Sequence, residues 1–160
     1  MGLGLYVDGK RYAGWAYSVF NKFRERVAKH IGIDLRKMDG FSDVDKSILS
    51  AQGWEAYHAA CEADTDKISW DTVNDPIKGL LHHSDCEGEI PAEECAAIAD
   101  RLEQIIEKWP TRQKLKTDPF WQERGYPPEL DLEDYDTAQA KGLIEGLREA
   151  AKTGKPLEFC

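Results

Sequence analysis

The side chains best suited to chemistry in this 160-residue chain are gathered between residues 82 and 94, which read HHSDCEGEIPAEE. Asp85, Glu87 and Glu89 alternate around Gly88, His83 stands two positions ahead of Asp85, and Glu94 follows in an apolar helical pattern. Carboxylates spaced in this way around a bend can converge on one hard cation, and glycine permits the positive φ that turns the chain around it. The stretch therefore predicts either a divalent-cation site or a sharp turn whose acids hydrogen-bond to nearby backbone amides.

With Gly88 at the sixth position of a twelve-residue calcium loop, Asp85 falls at the third, Glu87 at the fifth, Glu89 at the seventh and Glu94 at the twelfth. Ile90 falls at the eighth, where an apolar residue pins the loop to the core. The loop and its flanking helical patterns resemble an EF-hand. The departure is His83 at the first position, where aspartate is expected, because imidazole binds Ca²⁺ poorly and Zn²⁺ or Mn²⁺ well. The candidate metal ligands are thus His83, Asp85, Glu87, Glu89 and Glu94, and the candidate ions are Ca²⁺, Mg²⁺, Mn²⁺ and Zn²⁺. A zinc cluster of Cys86, Cys95, His82 and His83 would require a different loop geometry. Asp64 and Asp66 hint at a second loop, but Lys67 takes the place of its glycine. A solitary, altered loop is more often structural than a calcium sensor.

Around this loop the chain must supply helices. Ala16, Val19, Phe20, Phe23, Val27, Ala28 and Ile31 recur at three- and four-residue spacings, which predicts an amphipathic helix running from about Ala13 to Gly32. Its basic positions, Lys22, Arg24, Arg26 and Lys29, read as a solvated back, with contact to an acidic partner as the alternative. Ser42 or Asp43 is expected to cap a second helix carrying Ile48, Leu49, Trp54, Tyr57 and Ala60, weakened by Gly53. Pro76 opens a short helix with Ile77, Leu80 and Leu81. Pro91 opens another, with Glu93 and Glu94 in its first turn and a stripe of Cys95, Ile98, Leu102, Ile105, Ile106 and Trp109. A last helix starts near Asp134 or Asp136 and stops at Gly154. Residues 3–9 read as a brief strand ending in an Asp-Gly turn, and the tail KPLEFC as an extended segment able to lie beside residues 3–7. The expectation is a mainly α, all-α single domain over 1–160 of about five helices, with one EF-hand-like helix-loop-helix and a short two-stranded ribbon from the termini.

Composition narrows the function. The net charge is −9, and it is uneven. Residues 1–40 hold eight Lys and Arg against four acids, residues 41–109 five against sixteen, and residues 110–160 eight against ten. An acidic balance argues against direct nucleic-acid binding, which needs a basic face to displace counterions. It suits a basic protein surface as partner, a small ligand or a cation. The absence of a long apolar run argues against a membrane segment. Four cysteines without a CxxC pair, and no secretory leader pattern, point to reduced thiols in the cytoplasm. Residues 110–132 form a long connection with Phe120, Trp121 and Tyr126, three aromatics that can anchor the core or fill a partner's pocket. No GxSxG elbow, phosphate-cradling glycine loop or HExxH occurs.

The segment ending HIGIDL, MDGF at 38–41, the run from Trp70 through DPIKGLLHHSDCEGEIPAEEC and the ending GKPLEFC resemble a family of small helical proteins from actinobacteria and their phages that has no established activity. The resemblance implies an all-helical fold and a bacterial host cell, and brings no catalytic residue. The leading expectation is a non-enzymatic binding protein, of the kind of a phage accessory protein acting on a host protein or small ligand. Two alternatives are a metal-dependent structural or regulatory module and a metal-assisted hydrolase centred on His82, His83 and Asp85.

Overall fold

Asp8 and Gly9 both adopt left-handed backbone angles, with φ of 50° and 77°. A two-residue turn of this hand matches the twist of antiparallel strands, so the chain folds into a hairpin of β1 (Gly2–Val7) and β2 (Lys10–Ala16). The computed structural model describes residues 2–83, 87–109, 119–125 and 129–160, with the side chains at 120, 121, 124 and 129–134 outside that description. After the hairpin come α1 (Tyr17–His30), α2 (Ser47–Ala63), α3 (Lys78–Leu81), β3 (Gly88–Ile90), α4 (Ala92–Ile106), α5 (Pro119–Arg124), α6 (Glu129–Thr153) and β4 (Leu157–Phe159). Among the described residues no helix is long and apolar enough to cross a membrane.

The four strands form one antiparallel sheet in the order β2-β1-β4-β3. This overturns the mainly α, all-α expectation with its two-stranded terminal ribbon: the fold is mixed α/β. The tail does pair with β1, Leu5 facing Phe159 and Tyr6 facing Glu158, but as the central pair of four strands. Two misreadings account for the difference. Ala13 and Ala16, assigned to the first helix, belong to β2, because the Asp8-Gly9 turn starts a second strand. The segment Gly88–Ile90, assigned to a loop, is a strand because β4 offers it an edge.

One face of the sheet carries Leu3, Leu5, Val7, Ala13, Trp15, Ile90, Leu157 and Phe159, all buried. Phe20 and Phe23 of α1 pack on Trp15, with ring centroids 5.3 and 4.9 Å away, and Trp109 meets Phe23 edge-on. The predicted α4 stripe is buried throughout, from Cys95 to Trp109.

The free edge of β2 is covered by α6, which keeps it from pairing with another chain. A bulge leaves Tyr12 unmatched in the ladder, since Leu5 faces Ala13 and Tyr6 faces Arg11. Tyr12 is thereby turned toward α6, where Gly142 and Gly146 leave room for it: a Cβ on Gly142 would stand 2.2 Å from the Tyr12 carbonyl oxygen. The Gly14 amide donates to Gln139 Oε1 at 2.9 Å and the Tyr135 hydroxyl donates to the Gly14 carbonyl at 3.1 Å. Trp15 Nε1 donates to buried Asp136, which also pairs with Arg26. Burial pushes the Asp136 carboxyl above its ordinary range, against the attraction of Arg26.

Helix α2 departs furthest from its expected role. No residue of it is buried, Gly53 interrupts it with φ 85°, and Trp54, expected in the core, is 64% exposed. Neither Ser42 nor Asp43 caps it: the N-cap position is Lys46, and the turn leading in is held by Asp45, whose carboxylate accepts the Ser47 amide at 2.8 Å.

Candidate functional site

The acidic loop is built on the end of α3 and the start of β3. Arg24 of α1, itself buried, donates to the carbonyls of Leu81 and His83. A guanidinium there complements the partial negative charge of a helix end. The His82 ring stacks on Trp70 with centroids 5.3 Å apart. The His83 ring stacks on Phe159 at 3.9 Å, and its Cε1 lies 3.0 Å from where a Cβ on Gly88 would stand. Gly88 is thus required twice, by φ 112° and by the imidazole above it.

The strand register separates the predicted ligands. Gly88 faces Phe159 on the covered side of the sheet, Glu89 faces Glu158 on the opposite side, and Ile90 returns to the covered side against Leu157. His83 and Glu89 therefore lie on different faces. Glu87 is exposed, and Glu94, also exposed, holds a carboxylate oxygen 3.3 Å from where a Cβ on Gly79 would stand, toward α3. Asp85 and Cys86 lie outside the described residues. Among the described residues no three His, Cys, Asp or Glu side chains gather as metal ligands do. Cys95 is buried with its thiol directed at the carbonyls of Ile90 and Pro91, and burial pushes its pKa up to about 11. A thiol so placed is a core residue with little thiolate to offer. Of the aromatic trio, Phe120 and Trp121 belong to α5, with side chains outside the description, and Tyr126 lies outside the described residues.

The feature that sequence reading missed lies on the other side of His83. A cleft of about 750 Å³ opens between α1, the connector through Phe41 and Ser42, and α2. Tyr17, Ser18, Asn21, Lys22, Arg24 and Glu25 line it from α1, Arg36, Gly40, Phe41 and Ser42 from the connector, Lys46 and Tyr57 from α2 and its entry, and His82 and His83 from the loop. Four of these are Lys or Arg and one is an acid. The signal available in the sequence was the basic excess of residues 1–40, which supply Lys22, Arg24 and Arg36. The solvated-back reading of α1 was incomplete: Arg24 is 4% exposed and its guanidinium lies over the rings of Phe20 and Phe41 at 4.9 and 5.0 Å.

The far wall is held by Asp64. Its carboxylate accepts from Lys67, from the Ser42 hydroxyl at 3.3 Å and from the Asp43 amide at 3.1 Å, tying the end of α2 to the connector. Lys67 first, then the Asp43 amide, hold the Asp64 carboxyl below the usual carboxylate range. A carboxylate stabilised in this way is a weak base, so the Ser42–Asp64 contact anchors the chain and does not activate a nucleophile.

Comparison of the chain with known families, curated proteins and solved structures finds no match.

Proposed function

We propose that this chain is a non-enzymatic binding protein, and that its ligand seat is the cleft between α1 and α2. The observation that carries the reading is the cleft itself. Its volume of about 750 Å³ falls in the range of small-molecule sites, and it combines aromatic walls from Tyr17, Phe41 and Tyr57 with a few polar groups. The wall on the α2 side is not part of the core, since α2 buries no residue. Of the two partners expected for a binding protein, a basic protein surface and a small ligand, the cleft favours the small ligand. The lining hydroxyl of Ser42 is committed to an anchoring contact, which supports binding over chemistry.

The test is an NMR-detected fragment screen on the full chain, repeated with Tyr57→Ala. Hits should move amide signals at 17–25, 40–46 and 57, and the substitution should weaken them. Hits that map elsewhere, or that bind the variant unchanged, would remove the reading.

A further inference from the structure

Helix α2 stands outside the core. None of its residues is buried, and Gly53, with φ 85° and ψ −179°, divides it into 47–52 and 54–63. Each piece is shorter than the roughly 12–15 residues at which an isolated helix is marginal in water, and helices in proteins draw most of their stability from packing an apolar face. On its inner side Tyr57 lines the cleft, and the Cys61 sulfur accepts the Ser42 hydroxyl at 3.6 Å.

The outer side of the second piece has a composition of its own. Trp54, Glu55, His58 and Glu62 fall within one arc of about 100° on a helix of 3.6 residues per turn, and all four are exposed. None of them lines the cleft. At 64% exposure, Trp54 is the largest apolar side chain left in solvent among the described residues. Its ring is propped by its own helix: it meets Tyr57 edge-on at 6.1 Å and lies against His58 at 5.6 Å. A tryptophan presented in this way adds nothing to the core, and tryptophan is among the residue types that most often anchor protein interfaces.

Charge fixes the kind of partner. The excursion 43–66 carries six Asp and Glu residues against Lys46 alone. Asp43 and Asp64 are engaged by Arg36 and Lys67, whereas Glu55 and Glu62 flank the Trp54–His58 stripe on its exposed side. A helix face with an aromatic anchor and carboxylates at its rim complements an apolar stripe bordered by Lys or Arg.

We infer that the outer face of α2 docks a basic amphipathic helix of a partner protein, with Trp54 against its apolar stripe and Glu55 and Glu62 beside its cations. The face is separate from the ligand seat, so neither reading depends on the other. Docking gives the two short pieces of α2 the apolar burial that they lack, and so consolidates the helix as it binds.

The test uses two peptides of one design, a helical repeat of Leu and Lys and its counterpart with Glu at every Lys. Each is titrated by NMR into the full chain, into Trp54→Ala and into the double variant Glu55→Gln with Glu62→Gln. All three side chains are exposed, so the core is left intact. The Leu/Lys peptide is expected to move the amides at 54–62 and the Trp54 indole signal, and the Leu/Glu peptide to move neither. Trp54→Ala should weaken binding about tenfold or more, and the double variant roughly two- to tenfold, as two exposed ion pairs do. Binding that maps elsewhere, or that Trp54→Ala leaves unchanged, would reveal only a general attraction to an acidic chain and overturn the inference. Equal binding of both peptides, or indifference to the double variant, would overturn the basic character of the partner. Shifts at 54–62 on raising the protein concentration alone would assign the face to a second copy of this chain, and no shift there with the Leu/Lys peptide would remove the docking face altogether.

Discussion

The imidazole of His83 stacks on the ring of Phe159 with centroids 3.9 Å apart and planes 19° from parallel. The contact joins the acidic loop to the last strand, so the residue standing where a calcium loop has its first carboxylate serves as packing for the sheet edge. His83→Ala should cost about 1–2 kcal/mol through lost ring contact and burial, several degrees in a thermal melt. His83→Phe should recover most of it. Equal stability of the alanine variant and the parent would show that the stacking contributes nothing.

Helix α6 sits on β2 only because two of its residues lack a side chain. Gly142→Ala would place a carbon 2.2 Å from the Tyr12 carbonyl oxygen, and the helix or strand must shift, at a cost of roughly 1–3 kcal/mol. Gly146→Ala meets Tyr12 Cβ and Cγ at 3.0 Å and Leu157 Cδ1 at 3.2 Å, a milder overlap than the one at Gly142, and its better helix propensity returns up to about 1 kcal/mol. Denaturant melts should therefore rank Gly142→Ala well below Gly146→Ala. The reverse order would refute this account of the helix–strand contact.

Asp64 gives α2 a pH dependence of known sign. The folded state keeps its carboxylate charged to a lower pH than the unfolded chain does. The tether is therefore complete above the ordinary value of 3.8 and is lost as pH falls through the lowered one. In hydrogen exchange corrected for intrinsic rates, amides at 54–63 should lose protection as the pH drops below 3.8, before those of α4 do. Asp64→Asn should show the same loosening at neutral pH. Protection of 54–63 that is indifferent to both would mean the helix end is held by other contacts.

The placement of His83 and Glu89 on opposite faces of the sheet bears on the cation expectation. A filled site would raise stability by about 2.7 kcal/mol at a hundredfold excess of ion over its dissociation constant. With these two donors turned apart, a chelated sample should melt at the same temperature after addition of Ca²⁺, Mg²⁺, Mn²⁺ or Zn²⁺, in the parent and in Glu94→Gln alike. A rise of several degrees that Glu94→Gln abolishes would establish an ion site in this loop and reverse the prediction.

Periodicity determined the helices that bury a stripe. The α4 pattern from Cys95 to Trp109 and the α1 pattern from Phe20 to Ala28 are local, repeat every three or four residues, and reappear as buried residues. Stop signals were equally local: Gly154 ends α6 with φ 70°, because only the residue's own backbone freedom is at issue. Ile90, predicted to pin the loop to the core, is 1% exposed.

The sheet was decided elsewhere. Three residues such as Gly88–Ile90 carry no strand signal of their own, and they extend because Leu157–Phe159, nearly seventy positions away, presents an edge. The same long-range pairing turned Glu89 away from His83, which no spacing rule could foresee. The apolar residues of α2 fit a helical stripe, yet none of them is buried among the described residues, and Trp54 stays in solvent. The cleft is of this second kind. Lys22, Lys46, Tyr57 and His82 are scattered through sixty residues of chain, and only the packing of α1 against the connector and the loop brings their charges and rings to one surface.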